Sequence, residues 1–356
     1  MLLTIAIPAY GRPGPLRQAL DSFISQIAGK YEADVEIIVA DDASPDDSLA
    51  FVAELSKQHA FIKYARYPQN VGLERNLIEC ATSATGEFLW IFGDDDFLEP
   101  EDAMDDILAR LRAGRHDMLV LNRTRRSSDL SETITANWMR LDGKDRSFPG
   151  LREFCLEFGF ISVIGFISVN IFRREAFQAI DATRFYGTMY PQLGAMLEAF
   201  HNRPVELVAR PTVCHRTQTA SEKRAALGAK ASEADFMADS ERRNAIYFSH
   251  PYIAMLDSLM EKGAFTPTDI TCIPENTVIN GLLIDFLIDC VDKSRHYPNR
   301  FSQDNWKTTK RFFGRLPLSK TQGAAMAEIF KATSAGQPDA KRPQTTGRQK
   351  MLTVSV

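Results

Sequence analysis

Residues 87–96 read EFLWIFGDDD, an apolar run that ends in a glycine and three adjacent aspartates. The five apolar residues at 88–92 are typical of a strand buried on both faces of a parallel sheet. The three carboxylates repel one another, so they stay ionised together only beside a counter-charge. An isolated acidic triplet is more often a solvated turn or a helix cap. Its position directly after a buried strand favours a cation site here.

Short apolar segments alternate with helical patterns around this stretch. They predict strands at 2–7, 35–40, 62–65, 87–92 and 118–121, and helices at 16–27, 44–55, 75–82 and 101–112. Strands that alternate with helices form βαβ units, which build a mostly parallel sheet with helices on both faces. The predicted fold class is therefore α/β.

Beyond residue 125 the alternation becomes less regular. Residues 125–150 are polar and predict a loop or short hairpin. Further strands are predicted at 168–172 and 205–213, and helices at 174–180, 222–243, 253–260 and 278–291. We expect an α/β domain at 1–220, a helical region at 221–333 and a flexible, polar tail at 334–356.

The composition is that of an ordinary soluble protein and excludes several classes. The chain has 356 residues, a net charge of -4 and an isoelectric point near 5.9, which argues against a nucleic-acid-binding surface. Its five cysteines form no CxxC pair, and no signal-peptide pattern occurs, so we expect a reduced, cytoplasmic protein. The longest apolar window, 158–172, is shorter than the roughly 20 residues of a membrane span.

Three predicted strand ends carry polar residues: PAYGR at 8–12, DDAS at 41–44 and GDDD at 93–96. Ligands of open parallel sheets bind beyond the carboxyl ends of the strands. Mg²⁺ or Mn²⁺ prefers oxygen ligands, and one or two carboxylates with substrate phosphates suffice for Mg²⁺. The pattern therefore predicts a metal-assisted nucleotide diphosphate site, although Asp41 and Asp42 alone would more often cap a helix.

Three segments together resemble the family-2 glycosyltransferases, which have the GT-A fold. They are TIAIPAYGR at 4–12, VEIIVADDASPDDS at 35–48 and NVGLERNLIECATSATGEFLWIFGDDDFLEP at 70–100, and the match covers about residues 3–120. The GDDD form and TMYPQ at 188–192 are similar to abequosyltransferase-like enzymes of surface-polysaccharide assembly.

The resemblance implies a metal-dependent enzyme of bacterial O-antigen, capsule or exopolysaccharide synthesis. It would transfer a hexose or deoxyhexose, with inversion, from a UDP, GDP, CDP or dTDP sugar to a glycan or lipid-linked glycan. Within the match, the implied nucleotide-binding residues are Pro8, Ala9, Tyr10, Arg12, Asp41, Asp42, Arg75 and Asp94. Asp95 would bind the metal, with Asp96 beside it.

The sequence departs from the family pattern in places. Gly11 stands where the family often has asparagine, and Gly93 replaces the first acid of the common DxDD motif. For Arg75, the alternative role is a surface ion pair with Glu74 or Glu79.

The residue that would deprotonate the acceptor hydroxyl is not defined by the sequence. The family places this acid after the strand predicted at 168–172, but YGTMYPQ at 186–192 contains none. Glu198 and Asp181 are the nearest candidates, and the alternatives are a helix-surface position for Glu198 and a turn cap for Asp181. His215 and Arg216 would stabilise the leaving diphosphate, unless they belong to an exposed basic loop.

Two other classes compete with this interpretation. A nucleotidyltransferase would carry a longer glycine-rich loop with lysine after the first strand, and residues 11–15 contain no lysine. A non-catalytic binding module would explain the missing base, but the intact Asp94–Asp95 pair argues against it. The apolar stripe of the helix at 278–291 raises the hypothesis of peripheral contact with the inner membrane face, although core packing is its commoner use.

Overall fold

The computed structural model describes residues 1–45, 49–161, 163–219, 221–222, 240–275, 281–334 and 352–353. Its first part alternates strands and helices. The elements are β1 (Leu3–Ala9), α1 (Pro13–Ile27), β2 (Val35–Asp41), α2 (Ala50–Gln58), β3 (Ile62–Arg66), α3 (Leu73–Thr82), β4 (Phe88–Ile91), β5 (Phe97–Leu98), α4 (Ala103–Ala113) and β6 (Met118–Arg126).

The remaining elements are shorter and mostly helical. They are β7 (Thr133–Thr135), β8 (Arg146–Phe148), α5 (Leu151–Phe158), β9 (Asn170–Arg173), α6 (Arg174–Gln178), α7 (Pro191–Phe200), β10 (Val205–Arg216), α8 (Ser240–Tyr247), α9 (His250–Glu261), α10 (Pro267–Cys272), β11 (Pro274–Glu275), β12 (Gly281–Leu282), α11 (Leu283–Ser294), α12 (Gln303–Arg315), α13 (Lys320–Ser334) and β13 (Leu352–Thr353). Short 3₁₀ turns occur at Ile167–Val169, Ala182–Phe185 and Pro298–Arg300.

One large sheet organises the described residues. Its order is β13-β3-β2-β1-β4-β9-β6-β10-β5, with β7 beside β6 and β8 beside β10. The β3-β2-β1-β4 block is parallel, and β6 pairs parallel with β10. The predicted α/β class with a mostly parallel sheet is confirmed. The sequence did not indicate that β9 inserts antiparallel between β4 and β6.

Burial explains why the central strands read as continuous apolar runs. Every residue of β1, β2 and β4 is buried, because helices cover both faces of the sheet. Helix α1 illustrates the covering layer: it begins at Pro13, and its buried residues Leu16, Ala19, Leu20, Phe23 and Ile27 recur at helical spacing. The polar 125–150 segment contributes two short strands, β7 and β8, to the sheet.

Most of the described part of the predicted helix at 278–291 packs inside the protein, and residues 278–280 lie outside the described residues. Helix α11 begins at Leu283, and it buries Leu283, Ile284, Phe286, Leu287, Cys290 and Val291. These six side chains therefore serve core packing, and peripheral membrane contact stays a hypothesis. Throughout the described part of the chain, every helix is too short or too polar to cross a membrane.

Several predictions fall outside the described residues. They include the helix start at Asp46 and Asp47, most of the predicted helix at 222–243, and most of the tail at 334–356. Within the tail, Leu352–Thr353 pairs with β3. The predicted division into three parts stays a prediction.

Candidate active site

A cleft opens where β1, β2 and β4 end, so the three polar strand ends of the sequence meet there. The strand register explains why these ends lie together, because Ala9 pairs with Asp41 and Ala6 pairs with Ile91. The chain segments that follow these paired residues therefore emerge at one edge of the sheet. The cleft is lined by Pro8, Ala9, Tyr10, Arg12, Asp42, Asn70, Gly72, Leu73, Asn76, Asp94, Met189, Gln218 and Arg243.

Arg12 connects the first strand end to the acidic cluster. Its guanidinium forms an ion pair with Asp94, and its Nη1 lies 3.0 Å from Oδ2 of Asp95. The backbone N–H of Tyr10 also donates to Asp94, over 3.4 Å. The counter-charge that the three aspartates require is thus supplied, in part, by the protein itself.

Burial and charge together perturb this cluster. Burial raises the pKa of Asp94 to about 6, against the opposing charge of Arg12. Burial, followed by the charge of Asp95, raises the pKa of Asp96 well above its usual value. Burial alone would lower the pKa of Arg12, but the neighbouring aspartates outweigh it and raise that pKa.

The three aspartates have different surroundings. Asp95 accepts a hydrogen bond of 2.6 Å from the Gln218 amide. Asp96 accepts one from the Ser168 hydroxyl, which in turn accepts from the backbone N–H of Gly93 over 2.9 Å. Asp95 and Asp96 are both buried, and of the three aspartates only Asp94 lines the cleft. Asp96 supports the turn through Ser168, whereas Asp95 contacts two residues that do line the cleft, Arg12 and Gln218.

The side chains of the cleft could hold a divalent metal only together with ligands from a substrate. In the described ranges, no group of three or more His, Cys, Asp and Glu side chains is arranged to hold an ion alone. The Asp94 and Asp95 carboxylates are nevertheless hard oxygen ligands, and Mg²⁺ commonly takes one or two carboxylates plus substrate phosphates. These two residues fit such an ion once Arg12 yields its contacts with them.

Asp42 fixes the loop on the opposite wall of the cleft. Its carboxylate accepts from the N–H groups of Val71 over 2.6 Å and Gly72 over 3.0 Å. Gly72 has a φ of +89°, which favours glycine, and it precedes α3. Burial raises the pKa of Asp42 to about 6, against the two backbone hydrogen bonds.

Two residues of the predicted nucleotide set lie elsewhere. Asp41 is fully buried and accepts from the Ser44 N–H over 2.8 Å and the Tyr64 hydroxyl over 2.6 Å. Arg75 does not line the cleft, and its Nε donates to Glu79 over 2.6 Å. Both residues therefore hold the scaffold: Asp41 holds the β2 end, and Arg75 forms the alternative ion pair expected from the sequence.

The structure brings neither candidate base to the cleft. Glu198 lies on α7 and forms an ion pair with Arg184. Asp181 caps the 3₁₀ turn that follows it, and it accepts from the Thr183 N–H over 3.1 Å and the Thr183 hydroxyl over 2.6 Å. In this structure both carboxylates make local contacts, and a role for either residue as the base stays a prediction.

The predicted leaving-group residues are also placed differently. Arg216 is buried, and it donates to the Ser128 carbonyl over 2.8 Å and to Glu222 over 2.6 Å. The His215 ring packs on Phe166, with centroids 4.7 Å apart. Neither lines the cleft. Gln218 and Arg243 do, and Arg243 comes from α8 in the C-terminal region.

Sequence reasoning missed these last two residues for different reasons. Gln218 lies two residues beyond the predicted basic pair, so the sequence pointed to the right segment but not to this side chain. Arg243 had no local signal, because its position depends on how α8 packs. Asn70, Gly72 and Asn76 lie inside the matching NVGLERN stretch, and the Asn76 amide donates to the Ala40 carbonyl over 3.0 Å.

The fold and cleft define a class: an α/β protein with a ligand cleft at the carboxyl edge of its sheet and the GT-A arrangement of strands. Solved structures agree on the fold. Crystal structures of TarS 1–349 from S. aureus align with TM-scores of 0.52 for TarS alone and 0.57 in complex with UDP-GlcNAc. Sequence identity is 14% and 13%, with 95% and 93% of this chain and 92% and 89% of the TarS chain covered.

Sequence comparisons identify the family. The pattern of glycosyl transferase family 2 matches residues 4–180. The abequosyltransferase RfbV of Salmonella typhimurium is 30% identical over 231 residues, covering 61% of this chain and 67% of RfbV. A Campylobacter jejuni GalNAc(5)-diNAcBac-PP-undecaprenol beta-1,3-glucosyltransferase is 34% identical over 99 residues, covering 27% of this chain and 30% of that enzyme. The chain belongs to glycosyl transferase family 2.

Proposed function

We propose that this glycosyltransferase uses Mg²⁺ or Mn²⁺ to transfer a sugar from a nucleotide-diphosphate sugar to a hydroxyl of a glycan acceptor in bacterial surface-polysaccharide synthesis. The observation that carries the proposal is the convergence of Asp42, Arg12, Asp94 and Asp95 at one edge of the sheet. A nucleotide needs a shaped polar wall, and a diphosphate needs positive charge. The cleft supplies both.

The nucleoside would bind against the wall formed by β1 and the Asp42-anchored loop. Pro8 and Ala9 offer an apolar surface, and the Asn70 and Asp42 side chains offer polar atoms. Asp42 holds two loop N–H groups at once, so it preorganises this wall before the ligand arrives. We assign nucleoside recognition to the wall as a whole and not to Asp42 alone.

The diphosphate would lie at the acidic end of the cleft. Asp95 and Asp94 would hold the divalent metal there, and when bound it would neutralise charge on the departing nucleotide diphosphate. Arg12 is already beside these carboxylates and can turn to a phosphate oxygen. Gln218 holds Asp95 in place by its amide hydrogen bond.

Arg243 takes over the role expected for His215 and Arg216. It lines the cleft, and no carboxylate in the described part of the chain forms an ion pair with it. A positive charge at this place stabilises negative charge as it develops on the leaving group. The C-terminal region thereby contributes a residue to the donor site.

Inverting transfer requires a base within hydrogen-bond reach of the acceptor hydroxyl. Glu198 and Asp181 do not meet this requirement where they lie. Inversion therefore rests on the family resemblance. The names of the relatives support the donor and acceptor classes: a TarS structure holds UDP-GlcNAc, and the Campylobacter enzyme acts on an undecaprenol-linked glycan.

A donor-turnover assay tests the proposal. The protein is incubated with Mn²⁺ and, separately, with UDP, GDP, CDP and dTDP sugars, and release of nucleoside diphosphate is measured with and without a lipid-linked glycan fraction. Wild type should release one nucleotide only with metal, and Asp95→Asn should lose about 100-fold or more, since oriented charge at the reacting centre contributes several kcal/mol. Asp105→Asn, on the exposed side of α4, is the matched control.

Three results would contradict the proposal. Equal turnover by Asp95→Asn would remove the metal assignment. Nucleotide binding without turnover of any donor would favour the non-catalytic binding module. Release of pyrophosphate from a nucleoside triphosphate and a sugar phosphate would instead indicate a nucleotidyltransferase.

We also propose a cytoplasmic location. All five cysteines are free, and four of them are buried, which suits a reducing compartment. Cell fractionation with a salt wash tests this location. Recovery in the periplasmic fraction would contradict it, and retention on membranes after the wash would restore the hypothesis of membrane contact.

A further inference from the structure

A second groove adjoins the donor cleft. It is mostly apolar, and Trp138, Phe166 and Tyr190 contribute its aromatic lining. Leu73 and Met189 line both the groove and the cleft, so the two are neighbours across these side chains. A ligand in the groove would therefore lie beside a donor in the cleft.

Gln192 lines this groove with unmet hydrogen-bonding capacity. It is the second residue of α7 and is only 1% exposed. Within the described ranges, neither its Nε2 nor its Oε1 has a hydrogen-bond partner. Burying an amide without partners costs about 1–3 kcal/mol, so this side chain is available to hydrogen-bond whatever occupies the groove, a water or a ligand.

The groove also contains a positively charged side chain, that of Arg123, which packs against two aromatic rings. The Arg123 guanidinium lies 4.2 Å from the Trp138 ring centroid and 3.9 Å from that of Phe166. Arg123 is buried, with its guanidinium against these two rings. The aromatic and aliphatic surfaces that remain suit the C–H face of a neutral pyranose ring, whose hydroxyls need the polar partners that Gln192 offers.

We propose that this groove binds the sugar ring of the acceptor, with the Gln192 amide hydrogen-bonded to a ring hydroxyl. The proposal rests on the proposed glycosyl transfer. Transfer requires the acceptor hydroxyl to lie next to the donor sugar, which is the relation between groove and cleft. The charged donor finds Arg12 and Arg243 in the cleft, whereas the groove offers surface for an uncharged ring.

The other depression beside the cleft lacks this feature. It is lined by Glu74, Arg75 and Tyr186, among others. Glu74 already accepts from the N–H groups of Gly187 and Met189, and Arg75 donates to Glu79. Its charged groups are therefore already used, and the unsatisfied amide belongs to the groove.

Saturation-transfer NMR tests the groove with named probes. Methyl α-glycosides of glucose, galactose, mannose and rhamnose are added to the full chain in a buffer that contains Mg²⁺ and no Mn²⁺. Each glycoside is measured first alone and then with UDP, GDP, CDP or dTDP. At least one glycoside should show transfer that persists with the nucleotide bound. The signals of the nucleotide report binding to the donor cleft in the same sample. A failure of nucleotide binding is therefore distinguished from a failure of glycoside binding to the groove.

The variant Gln192→Leu separates recognition from structure. It should weaken glycoside binding about tenfold or more and leave nucleotide binding unchanged, while thermal stability stays level or rises, because an unsatisfied amide is replaced by an apolar group. Gln178→Leu is the matched control. Its amide donates to the Ala81 carbonyl over 3.1 Å, so this change should lower stability and leave the glycoside signal intact.

Three results would overturn the proposal. The first is the absence of any glycoside signal while a nucleotide binds. The second is an unchanged signal in Gln192→Leu. The third is displacement of the glycoside by a UDP, GDP, CDP or dTDP sugar but not by the nucleoside diphosphate, which would assign the groove to the donor sugar.

Discussion

The guanidinium Nη1 of Arg12 lies 3.0 Å from Oδ2 of Asp95. The same side chain forms an ion pair with Asp94, and both carboxylates are the proposed metal ligands. Arg12 therefore occupies the electrostatic position that a divalent ion would take. Metal binding would therefore compete with the Arg12 contacts to these two carboxylates, and the released guanidinium would become available to a phosphate.

Replacing Arg12 should separate these two effects. In Arg12→Gln without nucleotide, Mn²⁺ should bind about tenfold more tightly, because the competing cation is gone; the free energy of unfolding should fall by about 3 kcal/mol, because a buried ion pair loses one partner. Titration calorimetry and urea unfolding measure the two quantities. Arg17→Gln, at an exposed position of α1, is the control. Unchanged or weaker Mn²⁺ binding in Arg12→Gln would contradict the competition.

Arg243 and its neighbour Arg242 offer a matched pair. Arg243 lines the cleft, whereas Arg242 is exposed and does not. Arg243→Gln should lower kcat about 30-fold or more, since loss of a charge that stabilises the leaving group costs about 2 kcal/mol or more. The kcat of Arg242→Gln should stay within about twofold of the wild-type kcat. Equal losses in steady-state turnover would show that general surface charge, not the position of Arg243, matters.

The two base candidates predicted from the sequence, Glu198 and Asp181, are expected to tolerate replacement. Glu198→Ala and Asp181→Ala should each keep kcat within about threefold of wild type, because general-base catalysis contributes about 100-fold or more and neither residue supplies it. Small losses in stability are expected from the broken Arg184 ion pair and the lost turn cap. If either variant lost activity about 1,000-fold while folded, that residue would be restored as the base.

Glu36 is expected to govern part of the acid stability. It is fully buried between strands and accepts from Thr4, Thr85 and Lys63. Burial would raise its pKa, but these hydrogen bonds lower the pKa of Glu36 from 4.5 to about 2. Because its folded pKa is depressed, its contribution is complete above pH 4.5 and is lost as pH falls toward 2.

Glu36→Gln tests that contribution. The variant should lose about 3 kcal/mol of unfolding free energy at pH 7, with the difference from wild type shrinking progressively between pH 4.5 and 2. Urea unfolding at pH 7, 4 and 3 measures it. A difference that stays constant over this range would show that Glu36 contributes packing and neutral hydrogen bonds, not charge.

The fold was predictable because its signals are local. Buried parallel strands such as β1 and β4 read as apolar runs, and the motif after each one marks the ligand edge of the sheet. The antiparallel insertion of β9 was not predictable, since strand direction depends on long-range pairing.

The candidate site was predictable to the extent that it follows strand ends. Pro8 lies near the end of β1, Asp42 directly follows β2 and Asp94 comes three residues after β4, and all line the cleft. Arg243 and Gln192 come from helices whose placement depends on tertiary packing. Asp41 and Asp96 show the limit of this reasoning. Adjacent acids look alike in sequence, but Asp42 and Asp94 line the cleft, whereas Asp41 and Asp96 are buried in hydrogen bonds that hold the end of β2 and the turn after β4.

A thermal-shift screen of UDP, GDP, CDP and dTDP, with and without Mn²⁺, on wild type and Asp95→Ala tests the central claim most directly. A ligand that binds only the folded state at about 100 times its Kd stabilises it by about 2.7 kcal/mol, a rise of roughly 5 °C. We predict that one nucleotide raises the melting temperature of wild type only with Mn²⁺, and that Asp95→Ala abolishes the rise. A shift that needs no metal, or that survives in Asp95→Ala, would contradict the claim that Asp95 holds a metal for the donor.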